Sequence, residues 1–323
     1  MKRVPRLFLA LPLALTLLHP LPATAWNDAG HMTVAAVAYQ HLTPEVRTRV
    51  DALLRRHPDF AKLSEGLAAD DPDFGLRVFM KAATWPDFIR NDPRFYDDLR
   101  PDATPTPPLP GFPDMKIHKN WHYRDEGVSF DGTATKPPDA VNALTEIVAQ
   151  RSALGDPSVP ASTQAYDLSW LEHLIGDIHQ PLHAVSRFSA LHPGGDHGGN
   201  EFRLDDPNDP KLSLHWFWDT ALAADPDPQK AIALAKSIVG DYARDDRDLA
   251  AGTDPQARVL AWLEESAALA RYVVYTVAEE RAQPPFPKVP EAYRTLANQI
   301  ARHRAAVAGY RLAALINDRL RGS

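Results

Sequence analysis

Residues 173–183 read HLIGDIHQPLH, and residues 215–219 read HWFWD. In a helix, side chains four residues apart share a face, so His173 with Asp177 and His215 with Asp219 can each aim one imidazole and one carboxylate at a common point. Nitrogen and oxygen donors form a zinc ligand set, and the lack of thiolate favours a catalytic ion over a closed structural one. His183 lies further along what reads as one helix over 163–183, bent where Pro181 has no N–H to give the Asp177 carbonyl. It therefore points to a different spot from the first pair. A single His/Asp pair at helical spacing is more often a surface hydrogen-bonded pair than a ligand pair. Here two pairs sit among Leu174, Ile175, Ile178, Leu182, Leu214, Trp216, Phe217 and Trp218. An unpartnered charge is costly in such surroundings, and the metal reading prevails.

The elements that must position these residues are helical nearly throughout. A cap at Asn27/Asp28 opens a helix over 28–40, and Thr43-Pro44-Glu45 opens the next with a cap and a first-turn proline. Periodicity predicts further helices at about 76–83, 138–153, 163–183, 214–224, 229–243, 255–281 and 290–320. The last carries Leu296, Ile300, Val307, Leu312, Leu315 and Ile316 toward a core. The best strand signal is EFRL at 201–204, 192–200 reads as a Gly/Asp loop, and the Pro-rich stretch from Asp92 to Asn120 reads as a long surface loop. The expected fold is all-α, one mainly helical domain over 26–323 with long loops.

Lys2, Arg3 and Arg6 precede the apolar run LFLALPLALTLL, and Ala23-Thr24-Ala25 offers the small residues of a cleavage site. Residues 1–25 read as a signal peptide, with the protein exported to the periplasm or medium and no membrane span in the mature chain. Removing three cations moves the formal charge from −7 to −10, and the chain has no cysteine. An acidic protein does not hold nucleic acid through a basic face; bound divalent cations would have to supply the positive field.

Further ligand-type residues lie beside aromatic or apolar neighbours: Trp26 and His31 in WNDAGH, Asp87 in WPDFIR, His122 in WHYRD. Taken in order with HxxxDxxxxxH and HxxxD, these segments resemble the S-one/P-one (S1/P1) zinc nuclease family, whose relatives include 3′-nucleotidases and zinc phospholipases C. The resemblance implies a mostly helical fold with a trinuclear zinc cleft. It places one zinc on Asp87, His122 and His173, with Asp177 bridging to a second on His31 and the free amine and carbonyl of Trp26. A third would sit on His183, His215 and Asp219. The implied activity is endonuclease and 3′-nucleotidase on single-stranded RNA and DNA. The close pair would serve water attack in line, and the third ion would steady the leaving 3′-oxygen, so that diesters give 5′-phosphate products. Arg90 and Asp125 would stabilise the transition state, Asp125 orienting the guanidinium.

A zinc phospholipase C is the alternative; the spacing of His31 from Trp26, and Asp rather than Glu at 219, favour the nuclease. No stable protein partner is implied, and a monomer is expected. His179 reads as a hydrogen-bonded core residue, and His41, His57, His118 and His303 as ordinary ones. His192 and His197 lie in LHPGGDHGGN, where Asn200 is placed to hold the loop near the metals. Tyr123, Tyr96 and Phe130 are candidates for stacking a base, and Thr220 stands where some relatives carry a base-contacting Asn.

Overall fold

The computed structural model describes residues 26–245 and 254–322; the expected signal peptide lies outside the described residues. Among the described residues ten α-helices carry the fold: α1 (Asp28–Gln40), α2 (Pro44–Leu54), α3 (Phe60–Leu63), α4 (Phe74–Phe88), α5 (Ala143–Ala153), α6 (Ala161–Asp177), α7 (Leu214–Asp219), α8 (Pro228–Asp241), α9 (Pro255–Tyr272) and α10 (Glu291–Leu320). The all-α expectation holds. Among the described residues, no helix is long and apolar enough to cross a membrane.

Helix α6 is apolar around its circumference, with Tyr166, Leu168, Trp170, Leu171, Leu174 and Ile175 all buried, which is the pattern of a helix enclosed on every side. It packs on α4, α5, α1, α2 and α10. Its polar residues His173 and Asp177 are therefore deep in the core and not on a surface. Helix α1 is likewise buried from Ala29 to Tyr39 and lies against α4, α8 and α10.

Several boundaries differ from those read off the sequence. The segment expected as one bent helix over 163–183 is three pieces. Helix α6 stops at Asp177, a 3-10 turn runs Pro181–Ala184, and a strand β2 follows at Val185–Phe188. Pro181 starts the second piece rather than bending the first, because its missing N–H is harmless at a first-turn position. The helix expected at 138–153 starts at Ala143, where Asn142 and Thr145 form a reciprocal capping box. Helix α4 extends beyond the expected 76–83 and takes in Asp87. Helix α7 ends at Asp219 and α9 at Tyr272, both short of the expected 224 and 281. EFRL contributes only an isolated bridge, Arg203 to Ser213.

The strands lie elsewhere. β1 (Glu126–Ser129) pairs in parallel with β2, Glu126 opposite Val185. Each strand begins within a few residues of a ligand-type histidine, His122 before β1 and His183 before β2. The ladder extends back toward them: the Arg124 N–H donates to the His183 carbonyl at 2.8 Å, and the His183 Nδ1 donates to the His122 carbonyl at 2.7 Å. The small sheet fastens the two segments that carry these histidines side by side.

Candidate metal centre and cleft

Three groups of donors converge, all buried: His31, His173 and Asp177; Asp87, His122 and His173; and His183, His215 and Asp219. Within each group the ligand atoms lie within 4.8 Å of one another. The first two share His173 and adjoin through Asp177, whose carboxylate is 3.2 Å from His31 Nε2, 3.0 Å from His122 Nδ1 and 3.3 Å from His173 Nε2. The eight side chains that the resemblance names as ligands all fall within these groups, with His173 in two of them. Trp26 lies fully buried beside them, its Nε1 donating to the Gly176 carbonyl at 3.1 Å.

Local structure explains the approach of His31 to α6. A Cβ at Gly176 would lie 2.9 Å from His31 Nδ1, so only glycine lets α1 and α6 come this close. His173 is fixed from α4, its Nδ1 donating to the Ala83 carbonyl at 2.8 Å. His215 Nδ1 donates to the Gly198 carbonyl at 2.7 Å, and Gln180 Nε2 donates to Asp219 Oδ1 at 2.8 Å. Gln180, which the sequence reading passed over, was visible only as an amide flanked by ligand-type residues. Such bonds from outside the ligand set select which nitrogen faces the metal.

These donors fit a cation. His183 and His215 each commit Nδ1–H to a carbonyl, so their Nε2 atoms, 3.1 Å apart, face each other as two lone pairs. That arrangement needs a positive charge between them. A proton is disfavoured there, because burial and then the neighbouring His215 hold His183 far below the usual imidazole range. Burial likewise lowers His31 and His122 strongly and brings His173 down to about 3. Burial raises the carboxyls of Asp177 and Asp219. Both nitrogens of His31, both oxygens of Asp87, Asp177 Oδ1 and Asp219 Oδ2 are buried without a hydrogen bond among the described residues. Neutral imidazoles, costly carboxylates and unsatisfied donor atoms are together the chemistry of a site completed by divalent ions.

The cluster forms one wall of a cavity of about 1040 Å³, lined there by His122, His183 and His215. Arg90 and Asp125 line the same cavity. Arg90 Nε stands 3.2 Å from Asp87 Oδ1. Burial, followed by Asp196 and Asp139, pushes Asp125 up to about 7. Of the three stacking candidates, Tyr123 lines the cavity. Tyr96 belongs to a bridge with Lys116, and Phe130 is exposed against Tyr275. The long Asp92–Asn120 loop is tied down, Tyr96 pairing with Lys116 and Arg94 with Asp59 and Asp92, and its residues Asp97, Leu99, Arg100 and Lys119 line the same cavity.

A family model for S1/P1 Nuclease matches residues 26–321. The chain belongs to the S1/P1 nuclease family. A search of curated proteins finds no match. As an S1/P1 nuclease the chain is a hydrolase of phosphodiester bonds in nucleic acid, of a family that depends on zinc, and its three His/Asp groups supply donors for metal.

The other histidines keep the ordinary roles expected of them, or gain partners. His179 is a core residue, Nδ1 donating to the Ile175 carbonyl at 2.7 Å and Nε2 accepting from Arg311 at 2.9 Å. His192 sits between Glu201 and Glu280, at 2.7 Å from each. His197 is exposed at the cleft, its carbonyl accepting from Asn200. Thr220 caps α7 and bonds back to the Trp216 carbonyl.

Proposed function

We propose that this S1/P1 nuclease is an exported endonuclease and 3′-nucleotidase acting on single-stranded RNA and DNA with three zinc ions. Asp87, His122, His173, Asp177 and His31, with the amine and carbonyl of Trp26 once residues 1–25 are removed, would hold two of them. His183, His215 and Asp219 would hold the third. The observation that carries this reading is the pair of facing Nε2 lone pairs of His183 and His215, beside a second buried donor group that shares His173 and Asp177. Zinc supplies Lewis-acid polarisation and charge stabilisation at the reacting phosphate.

The chain's own residues do the rest. Arg90 presents a planar guanidinium, steadied by Asp87, to the phosphoryl oxygens. Asp125 opens on the same cavity and is able to hold a proton near neutrality. Tyr123 offers a ring on which a splayed base can stack. His122, His183 and His215 are buried in the cavity wall, with the other candidate ligands behind them, which suits a flexible single strand better than a rigid duplex.

The test is metal counting on protein starting at Trp26, with turnover on oligo(dA), 3′-AMP and phosphatidylcholine. Three zinc ions, hydrolysis of the first two substrates and 5′-phosphate ends on the oligonucleotide products are expected. Full activity without metal, products ending in 3′-phosphate, or turnover of phosphatidylcholine alone would overturn the reading.

A further inference from the structure

His215 is oriented by the loop between β2 and α7. Besides the bond from its Nδ1 to the Gly198 carbonyl, its backbone N–H donates to the Gly199 carbonyl at 3.2 Å. Gly198 adopts φ +61°, and a Cβ there would lie 2.5 Å from the carbonyl oxygen of Leu182, next to His183. The loop is therefore pressed between the segments that carry two ligands of one group. Glycine permits that path, and something must hold the loop on it.

Asp196, two residues before Gly198, does so from a fully buried position. Its Oδ1 accepts from the Arg187 N–H at 2.8 Å and from the Tyr275 hydroxyl at 3.1 Å, and its own N–H donates to the Arg187 carbonyl at 2.9 Å. The Arg187 guanidinium is 3.7 Å from Oδ2, packs over the rings of Tyr275 and Phe202, and pairs with Glu280. Glu280 in turn holds His192 at the loop's start, and the Ser186 hydroxyl accepts from the His197 N–H at 3.2 Å. Among the described residues only Oδ1 is hydrogen-bonded, Oδ2 being buried without such a bond, yet removing the side chain would leave the Arg187 N–H and the Tyr275 hydroxyl without this acceptor.

We propose that Asp196 is a positioning residue for the metal on His183, His215 and Asp219, acting through the Gly198 carbonyl to fix the tautomer and orientation of His215. The proposal rests on the three-metal reading above. It involves no contact between Asp196 and the ion, and it assigns the Asp in the loop's GGDHGGN run to one metal only. Loss of a group that orients a ligand weakens metal binding by about 10- to 100-fold.

The experiment compares Asp196→Ala, Asp196→Asn, Tyr275→Phe and His183→Ala with wild type. It measures the number and affinity of zinc ions by chelator competition and the melting of the metal-stripped forms. His183→Ala marks the ion in question by losing it. Asp196→Ala is expected to weaken that ion about 10- to 100-fold and to leave the others within about twofold. Asp196→Asn keeps the Oδ1 acceptor and should recover part of the loss. Tyr275→Phe removes one hydrogen bond while keeping the ring, and should weaken the same ion by about two- to tenfold. If His183→Ala holds as many ions as wild type, the metal reading itself fails and takes this inference with it. If His183→Ala loses an ion that the Asp196 variants retain at wild-type affinity, only the positioning role is overturned. Equal weakening of every ion, in step with a lower melting temperature of the stripped protein, overturns it as well. So does lost turnover with full metal retention, which would trace to the neighbouring Asp125.

Discussion

Gly176→Ala separates the metal centre from the fold around it. Gly176 lies in α6 immediately before Asp177, and an added methyl would sit 2.9 Å from His31 Nδ1 and 3.2 Å from its Cε1. Ordinary contacts begin near 3.4 Å, so the imidazole must retreat by several tenths of an ångström from a position 3.2 Å from Asp177 Oδ1. Metal–ligand bonds tolerate about 0.2 Å, which makes this displacement large for the metal. Overpacking of a tight core costs about 1–3 kcal/mol, while replacing glycine by alanine inside a helix returns about 1 kcal/mol. The stripped protein should therefore melt within a few degrees of wild type. The ion that needs His31 has no such compensation, and its affinity should fall by about one to two orders of magnitude, at about 1.4 kcal/mol per decade. Gly240→Ala is the control, since its added Cβ in α8 would meet nothing within 4 Å. Chelator competition with metal counting reads the outcome: Gly176→Ala should hold one fewer tight ion than Gly240→Ala. Equal metal content in the two, or a Gly176→Ala protein that no longer folds, would refute the reasoning.

Three further outcomes are expected. Arg90→Ala should lower kcat on oligo(dA) by about 10²–10³, the worth of one transition-state donor, with little change in KM; an effect on KM alone would make Arg90 a binding residue only. The zinc-loaded protein should lose stability as pH falls below 6.5. His31, His122, His173 and His183 are held neutral by burial in the folded state but take up protons at about 6.5 when unfolded, so the unfolded state binds more of these protons and their contribution to stability falls with pH. Denaturant titrations between pH 7.5 and 5.5 test this, and a flat profile would contradict it. Protein with one Met placed before Trp26 should bind one fewer zinc and lose most turnover compared with protein starting at Trp26, because an amide nitrogen has its lone pair delocalised; equal metal content would remove the amine from the ligand set.

Four of the candidate donor residues were legible because their signals are local. His173 with Asp177, and His215 with Asp219, are i,i+4 pairs whose apolar neighbours already show that they are buried. The segment after Asp177 misled because Ile178 and Leu182 continue the apolar rhythm although the helix has stopped. Periodicity reports burial there, and burial outlasts the helix. β1 and β2 were invisible for the opposite reason: each is four residues long, VSRF is buried on both faces and so shows no alternation, and the pairing joins residue 126 to residue 185. The Arg187, Asp196, Tyr275 and Glu280 network joins two stretches of chain some eighty residues apart. No spacing rule reaches it, and only the loop's glycines hinted that the backbone there passes close to something.

The parallel strand pair also determines how the metal groups depend on one another. His183 takes its tautomer from a bond to the carbonyl of His122, and His122 belongs to the other donor group. If the proposed ions are bound, a shift of His122 on loss of its ion would move the acceptor that aims His183 at its own group, through a contact 2.7 Å long beside the strand pair. The reverse holds through the Arg124 N–H on the His183 carbonyl. Filling one group with cations should thus favour filling the other without any ligand being shared between them. In the ion-free chain, the same ladder holds unsatisfied imidazoles and carboxylates in place at a cost that packing must offset. On the proposed reading, folding and metal uptake should accordingly be coupled across the whole cluster rather than site by site.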